Sequence, residues 1–512
     1  MLIPLASFVL RRPFAALFAT ALAVFGVHLL TIAEYPPAWF DEIEILEMGR
    51  FSIFDIRPEW SVNLIPQADG SFVAPYPLFH YLSGALLEAL YRLTGGFICG
   101  RAVMLASLPC CMFALFAWLR TKPIAPAFAF VAALLFLVDP NATICAHWYR
   151  PDLWCMSMTF LALVAIARAR MSRFPHMLYF FAGVLTATAI FFWITSVLFL
   201  PLILLESCLP GNGEPFCPKA LPSRLLSLVA GGVLITAVLL IPHCQYISQI
   251  IVQYLSRSEI ATITTASDSP LAAVVARSAD LVKIACRSPF VWGAACVGVV
   301  AAKRFRIHAA LFVLLILFML ATRVYHLRMV YLMPYLFLLA AAGIDHLAQN
   351  AKRTVACTSH AYVTLALIFG TALSICALNF AAWPEGNTLS VVSRQLHNAL
   401  PLSSPKVYLF DFEHELYYAG RANGWRMYST NPRELVFDER YASFLDGMDA
   451  VIVSSVTPGL TAAQERTLAG HGFVRAGRIA MPPAATGTVK RRLAGIFYAH
   501  GYPDCEIWRR KP

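Results

Sequence analysis

Apolar runs close to the ~20 residues needed to cross a bilayer recur from residue 14 to about residue 380. Short basic clusters separate them: Arg11/Arg12, Arg120/Lys122, Arg168/Arg170/Arg173, Lys219/Arg224, Lys303/Arg304/Arg306 and Lys352/Arg353. If each cluster marks a cytoplasmic loop, two crossings must fit between each consecutive pair. They do fit, with spans near 14–33, 101–119, 124–140, 153–170, 177–192, 194–209, 225–242, 288–302, 307–322, 329–348 and 359–380, eleven in all. The first run is long, and no small-residue cleavage pattern leads from it into a soluble chain, so it reads as a retained helix. The segment "PYPLFHYLSGALLEALYRLTGG" (75–96) is apolar enough to tempt a twelfth span. Counting it would put every later basic cluster outside, so the sequence predicts an amphipathic helix lying in the outer interface.

Composition agrees with a polytopic chain. Of 512 residues, 59% are hydrophobic and only 13% charged, whereas soluble domains carry roughly a quarter charged residues. The net charge of +11 does not indicate nucleic acid, because the basic residues are confined to short inter-helix clusters rather than gathered on one surface. Thirteen cysteines lie mostly inside apolar runs as small core residues. No Cys/His array has metal-ligand spacing, so no resident metal is expected.

This topology sorts the chemistry by side. Outside lie the first loop (34 to about 100), the loop "NATICAHWYRPD" (141–152), the loop 243–287, the turn "TRVYHLR" (322–328) and the tail after residue 382. In the tail charge becomes frequent and apolar runs shorten. "KVYLFDF" (406–412) and "MDAVIVSS" (448–455) predict buried strands and "TAAQERTLAGHG" (461–472) a helix. The expected organisation is a membrane unit over 1–382 and a soluble α/β domain over 383–512.

The first outer loop holds "EYPPAWFDEIEILEMGR" (34–50), in which Asp41, Glu42, Glu44 and Glu47 crowd one short stretch. A structural reading makes Asp41 an N-cap with Glu44 three residues on, a capping box, but leaves Glu42 unexplained. In "HWYRPDLW" (147–154), Asp152 is again a plausible cap beside Arg150. Each such cap would also hold a carboxylate where it could take a proton from a hydroxyl nucleophile. Arg323, His326 and Arg328 add a basic turn at the same face, and an arginine fork suits phosphate. A carboxylate base beside a phosphate-binding turn at a bilayer surface suggests group transfer from a lipid phosphate.

These residues resemble the GT-C glycosyltransferases, in the branch of the protein O-mannosyltransferases and the aminoarabinose transferases that modify lipid A. The resemblance rests on "FDEIEILEMGR", "PYPLFHYLSGALLEALYRLTG", "GRAVMLASL" (100–108), the "RPD" of 150–152 and "HLRMVYLMPYLFLLAAAG" (326–343). It implies a mainly α, polytopic membrane fold with a small extracytoplasmic α/β domain. It also implies a polyprenyl-phosphate sugar donor and a hydroxyl acceptor on a lipid, glycan or protein, in a bacterial inner membrane with its site on the periplasmic side. By position, Asp41 matches the catalytic base, Glu42 its motif partner and Asp152 the second-loop acid. Arg323, Arg328 and Arg150 are candidates for the donor phosphate, and Tyr76, His80 and His326 for contacts to donor or acceptor. The leaving phosphate is a stable anion, so the reaction needs no cofactor, although a divalent cation could join the outer acids. A different class, a transporter or flippase of polyprenyl-linked lipids, would place its polar residues and helix breaks near mid-membrane. A third, an inactive scaffold whose tail recruits partners, fits an acidic motif less well.

Overall fold

The computed structural model describes residues 13–30, 32, 40–49, 61–74, 81–209, 221–241, 244, 248, 270–301, 303–322, 324, 326–351, 388–410, 416–455, 459–481 and 502–511. The first half is helical: α1 (Pro13–Leu29), α2 (Phe40–Met48), α3 (Tyr81–Thr94), α4 (Ile98–Leu119), α5 (Pro126–Leu137), α6 (Pro140–His147), α7 (Asp152–Ala169) and α8 (Pro175–Phe192). After a 3-10 turn at Ile194–Phe199 come α9 (Leu200–Cys208), α10 (Leu221–Leu240), α11 (Pro270–Ala285), α12 (Pro289–Ala301) and α13 (Arg306–Ala321). A second 3-10 turn, His326–Tyr331, leads into α14 (Met333–Ala351).

Among the described residues five helices are long and apolar enough to cross a bilayer, or seven if the bent pairs α5/α6 (50°) and α11/α12 (108°) each count as one span. Proline sets these breaks. Pro140 and Pro289 stand at the first positions of α6 and α12, where a missing N–H costs nothing, and Asp139, before Pro140, is correspondingly extended. The predicted span 124–140 is therefore the twelve-residue α5, which ends before Pro140, while the predicted span 194–209, entered through the extended Trp193, is a 3-10 turn running into a nine-residue helix. The predicted loop 141–152 is helical through His147 for the same reason. The predicted span 359–380 and the 382/383 boundary lie outside the described residues. Of the segment 75–96, the described residues from 81 on form the 14-residue α3, about 21 Å at ~1.5 Å per residue. It packs on α2, α4 and α8.

Lipid-facing surface and close crossings identify the membrane part. On α10 Leu226, Val229, Val233 and Val238 are more than half exposed, which a chain in water would bury. Helices α8 and α10 cross at glycines: a Cβ on Gly183 would lie 1.9 Å from the Leu228 carbonyl oxygen, and one on Gly231 2.0 Å from that of Phe180. Without a hydrophobic force between helices in lipid, such close backbone approach supplies the packing.

Helix α4, with 22 residues, runs about 33 Å, so its ends define two faces. Near its start lies Arg101; just past its other end lies Lys122. At the Lys122 end, Glu206 of α9 is buried and receives Lys122 Nζ and, at 2.9 Å, His308 Nε2 of α13, while Arg170 bonds its main-chain carbonyl. The basic clusters at 120–122, 168–170 and 303–308 therefore converge on one face.

The C-terminal part contains a five-stranded sheet. Its strands are β3 (Lys406–Phe410), β4 (Arg426–Tyr428), β5 (Ala450–Ser454), β6 (Phe473–Ile479) and β7 (Cys505–Arg510), after the small hairpin β1 (Ile65–Pro66) and β2 (Phe72–Val73) in the first loop. The order is β4-β3-β5-β7-β6, with β3 parallel to β4 and β5, and β7 antiparallel to β5 and β6. Helices α15 (Leu389–Ala399), α16 (Tyr417–Ala422) and α17 (Ala462–Gly470) accompany it, the last held by a Thr461/Gln464 capping box. Strands β3 and β5 and helix α17 fall where sequence pattern predicts them. The first loop completes the edge of this sheet. Leu64 N donates to Ser429 O (2.9 Å), Ser429 N to Ser61 O (3.0 Å) and Asn431 N to Leu64 O (2.9 Å), so residues 61–64 run beside β4 and supply the backbone partners an edge strand lacks.

Candidate functional site at one end of the helical unit

The acidic stretch forms α2, whose turns bury residues on more than one side: Ile43, Ile45 and Leu46, and with them Glu42 and Glu47. A nine-residue helix is too short to be stable alone, so its neighbours hold it. Gly49 allows α2 to end against α3, since a Cβ there would lie 2.0 Å from the Gly84 carbonyl oxygen.

Glu42, with no exposed side-chain surface, takes both arms of the Arg101 fork: Nε to Oε1 at 2.8 Å and Nη2 to Oε2 at 2.8 Å. Arg101 Nη1 also donates to the Ile32 carbonyl, 3.2 Å away, which ties the chain beyond α1 to the same point. Glu42 is therefore a charge-paired side chain joining α2 to α4. Among the described residues α2 runs from Phe40, which places Asp41 inside the helix rather than at a cap before it, and Glu44 accepts from Asn63 Nδ2 at 2.9 Å. The side chain of Asp41 lies outside the described residues.

The second acid is enclosed in the same way. Pro151 takes the N-cap position of α7, and Asp152 is its first residue. Arg150 Nε donates to Asp152 Oδ2 at 2.7 Å and Nη2 to Oδ1 at 3.3 Å, and the guanidinium carbon stands 4.7 Å from the centre of the Trp193 ring. The Tyr331 hydroxyl lies 2.7 Å from both Asp152 Oδ1 and Thr195 Oγ1. Tyr149 braces this junction: its hydroxyl donates to Leu87 O at 2.7 Å, and its ring occupies the space a side chain at residue 100 would need, 1.8 Å from a Cβ there. The Arg150 fork is thus paired with Asp152 in this structure. Arg328, half-buried in the same 3-10 turn as Tyr331, has Nη1 3.4 Å from Thr322 Oγ1.

The tail closes over this end. Tyr417 of α16 donates its hydroxyl to Glu47, which also accepts from Ser61 N at 3.2 Å. Arg421 reaches Glu88 of α3 with Nη2 at 2.9 Å and 3.1 Å, while Nη1 lies 3.7 Å from Glu47 and the guanidinium carbon 3.9 Å from the Tyr91 ring centre. Burial alone would lower the Arg421 pKa; the carboxylates of Glu88 and Glu47 outweigh it and hold the guanidinium above its ordinary value. Tyr418 stacks on Phe97 at 4.3 Å. Burial and the nearby Glu42 push its phenol well up.

Of the residues singled out in the sequence, the structure brings Glu42, Arg150, Asp152 and the turn carrying Arg328 to one end of the bundle. Arg323, Tyr76 and His80 lie outside the described residues, as does the side chain of His326. Sequence reasoning missed Arg101, Tyr331, Thr195, Glu88 and Arg421. Arg101 had a readable signal, being a lone ionisable group in the first turn of an apolar helix. The others are paired across long sequence separations and had none. Among the described residues no three His, Cys, Asp or Glu side chains are grouped to hold a metal ion.

No protein-family model matches the chain, and no curated protein matches it in sequence. Solved structures do match it in fold. The apo structure of ArnT from Cupriavidus metallidurans superposes with a TM-score of 0.55 at 13% identity, covering 96% of this chain and 97% of that one. The archaeal oligosaccharyltransferase AglB from Archaeoglobus fulgidus, in complex with an inhibitory peptide and a dolichol-phosphate, superposes with a TM-score of 0.50 at 10% identity, covering 87% of this chain and 70% of that one. The chain thus shares its overall fold with these two solved structures.

Proposed function

We propose that the chain is a membrane glycosyltransferase that moves a hexosyl or pentosyl unit from a polyprenyl-phosphate donor to a hydroxyl on a lipid, glycan or protein. The observation carrying this reading is the gathering of the Glu42–Arg101 and Arg150–Asp152–Tyr331 groups, with Asp41 adjoining Glu42 in sequence, at one end of a GT-C fold. A hydroxyl is a weak nucleophile at neutral pH and needs a positioned base. Asp41 takes that role, since Glu42 and Asp152 each face an arginine. Asp152 anchors the turn that carries Arg328, and Arg328, with Arg323, holds the lipid phosphate as it leaves. Attack in one step inverts the anomeric carbon. A divalent ion, if used, would sit on Asp41 and the outer acids. The membrane unit spans 1–382 with eleven crossings, the extracytoplasmic domain spans 383–512, and the catalytic end faces the periplasm across a bacterial inner membrane. The convergence of basic loops on the Glu206 face supports that orientation.

Replacing Asp41 with Asn tests the reading. Asn supports a helix start about as well as Asp, so the melting temperature should hold while transfer falls on the order of a hundred- to ten-thousand-fold. Full transfer in that variant would remove Asp41 as base.

The transporter reading has one observation on its side. Asp139, at the α5/α6 bend, is buried and accepts from Ser288 at the α11/α12 bend, a buried acid at paired helix breaks. Vesicles reconstituted with the chain and a polyprenyl-linked sugar separate the two: movement across the bilayer without sugar transfer favours transport.

A further inference from the structure

The acidic helix α2 is fastened at two places to two different parts of the chain. Near its start, Glu42 is gripped by Arg101 of α4 through two bonds of 2.8 Å. Near its end, five residues on, Glu47 is gripped from the tail by the Tyr417 hydroxyl, with Arg421 Nη1 at 3.7 Å. Five residues turn a helix by about 500°, so the two glutamates point some 140° apart, one toward the membrane helices and one toward the tail. The second grip is a built assembly. Arg421 also binds Glu88 of α3 at 2.9 Å, so one guanidinium ties together the tail, α2 and the helix beneath it. Ser61 joins it by donating its amide to Glu47 (3.2 Å) and its hydroxyl to the Met427 carbonyl (2.7 Å) on β4. Glu47 and Glu88 are buried, and two buried carboxylates side by side are unfavourable unless a cation neutralises them. Arg92 of α3 also pairs with Glu88 at 2.8 Å, and Arg421 adds, from the tail, a cation that reaches both Glu88 and Glu47.

We infer that Arg421, assisted by Tyr417, is a positioning residue for the acidic helix, so that the sheet-bearing tail is a working part of the active site rather than an appended domain. This rests on the proposed role of Asp41. Without Arg421 the far end of α2 keeps its contacts to Asn63, Ser61 and Gly84 but loses its charge tie to the tail, which leaves it freer to pivot about Glu42, beside Asp41. A displacement of about 1 Å at a catalytic group can cost on the order of a hundred-fold in rate. Arg421 touches no reacting atom in this account; it acts through Glu47 and Glu88. A lysine could meet one carboxylate but not span both.

The test uses the full-length protein in detergent or nanodiscs, with Arg421→Met, Arg421→Lys and Tyr417→Phe. Amide hydrogen exchange is read over residues 40–49, with residues 98–119 as an internal reference. Transfer rate is read alongside against donor concentration. The expected result is faster exchange at 40–49 with the reference unchanged, and a kcat lowered on the order of ten- to a hundred-fold with donor KM held. Arg421→Lys should fall between wild type and Arg421→Met. If Arg421→Met does not fold, Tyr417→Phe, which removes one hydroxyl, carries the same readouts. Unchanged exchange at 40–49 overturns the inference, whatever the rate does. So does a raised donor KM at constant kcat, which would make Arg421 a binding group. Failure of the Asp41 reading is separate: it would show as full transfer in Asp41→Asn, while the exchange result would still report whether the tail holds α2.

Discussion

The two ends of the helical unit bury acidic side chains by different means. At the Glu42 end two of the acids each meet one arginine in a forked pair, Glu42 with Arg101 and Asp152 with Arg150. At the Glu206 end one carboxylate meets Lys122 and His308, and Arg170 bonds its backbone. A fork fixes the plane of a carboxylate as well as its charge. An ammonium supplies charge without direction. The first arrangement suits a place where orientation matters to chemistry. The second cross-links α9, α13 and the loop after α4 with groups that can reach toward water at a membrane surface.

The comparison breaks most easily at Arg101. Replacing it with Leu strands Glu42, which has no exposed surface, and should cost about 3–5 kcal/mol of stability, seen as a large fall in melting temperature and loss of monodisperse protein. Adding Glu42→Leu to that variant should restore most of the stability but not transfer. If the double variant is as unstable as the single, the two do not act as a pair.

At the other end Glu206→Gln should be milder, about 1–3 kcal/mol. The amide still accepts hydrogen bonds, and Lys122, 10% exposed, can turn its amine outward. Transfer by the folded fraction should be unchanged. A thermal shift as large as that of Arg101→Leu would show the two ends to be equally rigid and remove the contrast.

The smallest effect is expected for Tyr331→Phe. It removes one hydroxyl between Asp152 and Thr195 while leaving the Arg150 fork in place, a loss of about 0.5–1.5 kcal/mol. A shift matching that of Arg101→Leu would mean that Tyr331, not Arg150, holds Asp152.

Much of this was legible in the sequence because it depends on local composition. Apolar runs must be helices in lipid, since no water satisfies their amides, so α4, α7, α8 and α13 fall close to their predicted ranges. Alternation and capping residues placed β3, β5 and α17. Proline at 140 was visible, but its consequence was not read: it ended the predicted span 124–140 at Leu137 and began a second helix in the predicted loop. The site was legible only as an inventory. Asp152 and Arg150 stand two residues apart, and their pairing could be guessed. The acidic stretch declared itself by charge density. Which acids are sealed could not be read, because that depends on partners far away in the chain: Glu42 meets Arg101 59 residues on, Asp152 meets Tyr331 179 residues on, and Glu47 meets Tyr417 370 residues on. Local sequence sets which segments are helix or strand and which side of a bilayer their flanking charges favour. The pairing of buried charges is fixed only when helices pack, since desolvation makes each carboxylate depend on whichever cation the fold brings within about 3 Å.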